Sequence, residues 1–165
     1  MYEFPKPGAE QAMLTKLTGD WKSEVRFYFA PGAPPMVRPG TYKAKLDLGG
    51  YFLDREFRVD LDDAGDFKAI AFHGCGLTGY DPFQRKYLGV WVDSGSPALY
   101  LTEGSFNAAG DIYTETSRGP DPTGKPLVMR MLTTLYGRDR LSFKMYRVDE
   151  GGGETLITEM EHVRI

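Results

Sequence analysis

From Trp21 to Ile165 the chain repeats one unit: a short run in which apolar and polar side chains alternate, then a turn rich in Gly, Pro, Asp or Asn. Alternation sends successive side chains to opposite faces of an extended backbone, so each run reads as a half-buried strand. Trp21, Ser23, Val25, Phe27 and Phe29 share one face, and Lys22, Glu24 and Arg26 take the other. In 41–48, Tyr42, Ala44, Leu46 and Leu48 point inward while Lys43, Lys45 and Asp47 point out. Further runs lie at 52–61, 67–73, 98–106, 111–117, 127–136, 141–148 and 155–165. Between 79 and 94, Tyr80-Asp81-Pro82 supplies turn chemistry and Tyr87, Val90, Trp91 and Val92 supply strand formers. That segment brings Trp91 and Asp93 to one face of a returning strand.

The count is about ten strands joined by short turns with no helix between them. Short consecutive connections make neighbours antiparallel, which gives an up-and-down meander. A meander this long closes most simply into a barrel, which removes its unpaired edges; a two-sheet sandwich is the alternative. The one helix candidate is 9–17, where Ala12, Met13, Leu14 and Leu17 fall on one face and Gly19 stops the run. Stiff loops are expected at 30–39, which holds four prolines, and at 119–126.

At 165 residues the chain is expected to form a single domain spanning 1–165. Its 20 basic residues are scattered among 23 acidic ones, for a net charge of −3, and no basic stripe forms that would grip nucleic acid. Cys75 is the only cysteine, so disulfides and thiolate metal sites are not expected. The first residues resemble neither a signal peptide nor a membrane span, and a cytoplasmic location is expected.

Two motifs tempt and fail. Gly74-Cys75-Gly76-Leu77-Thr78-Gly79 has dinucleotide-loop spacing, but a helix must start there to receive the pyrophosphate, and Pro82 and a strand follow instead. Gly119 to Lys125 has phosphate-loop spacing, yet Pro126 stands where a Ser or Thr must hold magnesium, and Pro120 and Pro122 delete backbone donors. No cofactor is expected from either.

The residues that stand out chemically are few. Arg55 falls in phase with Leu53, Phe57, Val59 and Leu61, so it should point inward and need either an acid such as Glu103, Asp93 or Glu159, or an anionic ligand. Arg130 raises the same question between two apolar faces. Trp91 reads as core packing or as cavity wall. His162, in phase with Met160 and Thr158, reads as a packed strand histidine; the sharper reading is a proton carrier or an axial haem ligand. His73 and His162 are too few to make a catalytic zinc site unaided, and a Cys75–His73 catalytic pair has no support beyond proximity.

In order along the chain, Leu17-Thr-Gly-Asp-Trp21, Pro31-Gly-Ala-Pro-Pro-Met36, Gly79-Tyr-Asp-Pro82 and Gly89-Val-Trp-Val-Asp-Ser94 resemble the bacterial family called domain of unknown function 1579. Glu103-Gly104, Gly119 to Pro126 and Phe143-Lys-Met-Tyr146 continue the series. The closing 159–164 also fits, although His162 stands where an aromatic is expected. The Gly19-x-Trp21 after a short helix is similar to the opening of lipocalin-like barrels. The resemblance implies an all-β, calycin-like barrel and implies no activity, catalytic residues or cofactor.

Three functions are compatible with this reading. A cavity could bind a small hydrophobic or amphipathic ligand, with Arg55 or Arg130 meeting an anionic group and Trp91, Asp93, Glu103 and His162 as further wall candidates. The same residues could instead do acid–base work. A filled barrel could serve as an interaction protein, with an apolar outer face forming a homodimer.

Overall fold

A computed structural model describes residues 6–59, 71–121 and 123–165. Helix α1 (Ala9–Leu14) and a 3₁₀ turn (Thr15–Leu17) lead into ten strands: β1 (Gly19–Phe27), β2 (Met36–Asp47), β3 (Phe52–Val59), β4 (Phe72–Asp81) and β5 (Lys86–Asp93) make the first half. Strands β6 (Ser96–Phe106), β7 (Ile112–Pro120), β8 (Pro126–Tyr136), β9 (Arg140–Val148) and β10 (Glu154–Arg164) complete it. Each strand pairs antiparallel with its neighbours, and β1 pairs with β10 to close the barrel. The expected meander is the one found, and closure decides against the sandwich.

Several boundaries differ from the sequence reading. The helix is shorter than expected because its last turn tightens to 3₁₀ before Thr18 turns extended. Pro39 lies inside β2, opposite Glu24, so the proline-rich loop is confined to 28–35. Gly74 to Tyr80 continues β4 as ordinary strand, in register with both β3 and β5. Gly119 and Pro120 belong to β7, and the stiff loop contracts to a turn in which Asp121 accepts from the backbone N–H of Thr123 and Lys125 at 2.8 and 3.0 Å. The expected turn at 62–66 and most of the strand expected at 67–73 lie outside the described residues.

The meander places α1 and every even-to-odd strand connection at one end, and the remaining connections at the other. At the helix end Leu14 and Leu17 pack on Ala44, Leu53, Tyr87 and Tyr113. Burying each leucine contributes about 2 kcal/mol. Aromatic rings extend the plug: Tyr80 meets Tyr87 at 5.1 Å, Tyr87 meets Tyr113 edge-on at 5.7 Å, and Phe106 lies 4.7 Å from Tyr113. The Tyr87 hydroxyl donates to the Glu10 carbonyl at 2.7 Å, which ties helix to barrel. Among the described residues no helix is long and apolar enough to cross a membrane.

Candidate functional site

A cavity of about 310 Å³ occupies the barrel. It runs from Leu17 beneath the helix to Phe27, Phe72, Asp93 and Leu127 at the opposite end, where these side chains are half-buried and form the mouth. This volume sits at the lower bound of small-molecule pockets, and its surface is mostly apolar.

Two walls differ in chemistry. On β8 to β10 the inward positions include Met129, Met131, Met145 and Met160, with Met131 directly opposite Met145 across the ladder. Thioether side chains are flexible and polarisable, so this wall can reshape around a guest.

The wall from β3 to β7 is fixed. Arg55 points inward from β3, as the alternation requires. Its Nη1 and Nη2 donate to the Glu115 carboxylate at 2.9 and 3.1 Å, and Nη2 also donates to Thr78 Oγ1 at 2.8 Å. Glu115 side-chain exposure is 3% and that of Arg55 is 11%, so the pair is a buried, bidentate bridge. Burial works against the guanidinium charge, but the Glu115 carboxylate outweighs it and leaves the Arg55 pKa raised. Its partner is thus none of the acids expected: Asp93 stands at the mouth, Glu159 pairs with Lys144 at 3.2 Å, and Glu103 pairs with Lys86 at 2.9 Å on the outside.

Trp91 lies on this wall, with the Arg55 guanidinium 5.9 Å from its ring centre. Its Nε1 donates to Asp93 Oδ2 at 3.1 Å, and Asp93 Oδ1 accepts from the Gly95 N–H at 2.9 Å. The indole rests on the β4 backbone because Gly74 and Gly76 have no side chains. A Cβ at Gly74 would stand 2.2 Å from Trp91 Cζ2, and one at Gly76 2.8 Å from Cε3. The glycines that mimic a dinucleotide loop are the seat of this indole.

His162 lies on β10, 4% exposed, and lines the cavity. Its Nδ1 is 2.7 Å from Ser23 Oγ on β1, and its ring meets that of Tyr42 at 5.3 Å. Burial lowers the imidazole pKa to about 4, so the ring is neutral at physiological pH. Burial raises the Tyr42 phenol to about 12, so it too is uncharged. Three buried polar atoms on the fixed wall have no hydrogen-bond partner among the described residues: Arg55 Nε, Tyr113 Oη and Ser117 Oγ. Burial first, and the nearby Glu115 second, raise the Tyr113 pKa and keep its proton on.

Four of the sequence candidates therefore share the cavity: Arg55, Trp91, Asp93 and His162. Glu103 and Arg130 do not. Arg130 points outward, pairing with Glu154 and lying 5.0 Å from the Tyr146 ring. Of the two faces of β8, the methionines took the inside. Sequence reasoning missed Glu115, Tyr42 and the methionine wall. Glu115 had a readable signal, since it alternates in phase with Tyr113 and Ser117. Outside the barrel, Val90 pairs with Leu77 and Leu101, and Leu99 and Leu101 are each 65% exposed; this strip is where an apolar outer face is found. Among the described residues no cluster of three His, Cys, Asp or Glu side chains could hold a metal.

The geometry can be set beside known proteins. The crystal structure of Rv2717c from M. tuberculosis superposes with a TM-score of 0.70 at 17% identity, covering 98% of this chain and 99% of that one. It shares the fold. A conserved protein of unknown function with a hot dog fold from Alicyclobacillus acidocaldarius aligns with a TM-score of 0.22 at 10% identity, covering 99% and 88%. No curated protein matches the chain. The profile of one family, described as a protein of unknown function (DUF1579), matches residues 6–164, and the chain belongs to that family.

Proposed function

We propose that the protein binds a small, mostly apolar molecule inside the barrel. The observation that carries this reading is the cavity itself: about 310 Å³, walled by methionines on one side and by a fixed indole and a bidentate ion pair on the other. A barrel built only as a filled scaffold would place side chains there, because an empty volume forfeits packing contacts. The bridged Arg55 argues against the expected anionic ligand, since its charge is already met by Glu115. The Ser23 hydroxyl that bonds His162 does not itself line the cavity, so among the described residues no nucleophile paired with a base faces a guest, and binding is preferred over catalysis.

The test is displacement of a neutral fluorescent probe, N-phenyl-1-naphthylamine, together with quenching of Trp91 fluorescence, with Trp91→Phe giving the contribution of buried Trp21 to be subtracted. Met131→Trp, which fills the cavity, should abolish probe binding while leaving cooperative unfolding intact. Equal probe binding by the wild type and the filled variant would overturn the reading. Native mass spectrometry of protein purified from its host should show a retained mass without a porphyrin absorbance band.

A further inference from the structure

We infer that the ligand carries an uncharged carbonyl oxygen, held between the Nε2–H of His162 and the hydroxyl of Tyr42. This rests on the binding reading above and specifies its polar end. Ser23 is 6% exposed and its hydroxyl makes no hydrogen bond other than that to His162. A buried donor left without an acceptor is costly, so the Ser23 O–H donates to an unprotonated His162 Nδ1. The ring proton then sits on Nε2. Nε2 has no partner among the described residues, nor has the Tyr42 hydroxyl, and both residues line the cavity with their rings 5.3 Å apart. Two donors on adjacent rings call for one acceptor with two lone pairs.

Charge decides between acceptors. Among the described residues the charged ones lining the cavity are one cation, Arg55, and two carboxylates, Asp93 and Glu115. Arg55 is committed to Glu115 and Thr78 through both Nη atoms. A carboxylate guest would thus lose its hydration, meet no free cation among the described residues and lie near two carboxyl groups. A ketone, ester or amide oxygen suits the pair, with its hydrocarbon lying on the methionine wall.

The experiment compares 2-octanone, octanoate and octane at pH 7.5 by probe displacement on the wild type, Tyr42→Phe and His162→Phe. We expect 2-octanone to bind at least about tenfold tighter than octane, and tighter than octanoate. Tyr42→Phe, which removes only an oxygen, should cost the ketone about fivefold and leave octane unchanged. His162→Phe should do the same and is read only if it unfolds cooperatively; Tyr42→Phe alone suffices. Octanoate binding as tightly as the ketone would overturn the proposal, as would a ketone advantage over octane that Tyr42→Phe leaves undiminished. If octane binds but the ketone gains nothing, the cavity reading stands and this one falls. If none of the three binds to folded protein, both fall.

Discussion

The two walls of the cavity solve opposite problems. From β3 to β7 the interior is built from groups that cannot move: a bidentate ion pair, an indole seated on two glycines, and a threonine bridging to the guanidinium. From β8 to β10 it is built from methionines, which have no preferred shape. One wall is held by polar and packing contacts, and the other is free to repack. Substitutions should therefore be costly on the first wall and mild on the second.

The largest effect is expected at Glu115. Glu115→Gln leaves the Arg55 charge buried with half its bridge gone and should cost about 3–5 kcal/mol in urea unfolding. Replacing both Arg55 and Glu115 by Leu should recover most of that loss, because desolvation of both charges is then avoided. If the single change costs under about 1 kcal/mol, the pair is not buried in solution.

Next comes acid. In the unfolded chain His162 takes up a proton near its ordinary pKa of 6.5, whereas in the folded state it resists until about 4. The unfolded state binds more protons in that window, so stability falls as pH drops from 6.5 to 4, by about 3 kcal/mol, and is flat in this term above 6.5. Comparing wild type with His162→Phe by denaturant titration at several pH values should show a loss on acidification that is steeper in the wild type by about that amount.

The glycines of the fixed wall follow. Gly74→Ala puts a methyl into the indole and should cost about 1–3 kcal/mol, with Trp91→Leu in the same chain relieving much of it. Additive losses in that double variant would mean that the indole does not sit on the β4 backbone. Smallest of all, Met131→Leu and Met145→Leu should each cost under about 1.5 kcal/mol in thermal or urea unfolding. A larger loss there would erase the distinction between the walls.

What could be read beforehand divides along physical lines. Strand number, antiparallel order and closure were legible because alternation and turn chemistry are local, and the inward aim of Arg55 followed from its phase with Leu53 and Phe57. The partner of Arg55 was not legible: Glu115 lies 60 residues away and meets it only across the barrel. Nor could β8 be oriented, since Val128 and Leu132 beside Arg130 match the methionines opposite in hydrophobicity, and only the register with β7 and β9 decides. Gly74 and Gly76 offered only the spacing of a dinucleotide loop, because a sequence does not reveal which ring their missing side chains admit.

The seam between β1 and β10 has a consequence for how the molecule is made. Synthesis runs from β1 onward, yet β1 finds its second neighbour only in the last strand, and Ser23 meets His162 across 139 residues. Until β10 has left the ribosome, the nascent sheet carries two raw edges, β1 and β9, open to pairing with other chains. His162 arrives with that final strand, so the pocket's polar corner is among the last features completed. A chain cut short within β10 would be unclosed and would lack the His162 contact to Ser23.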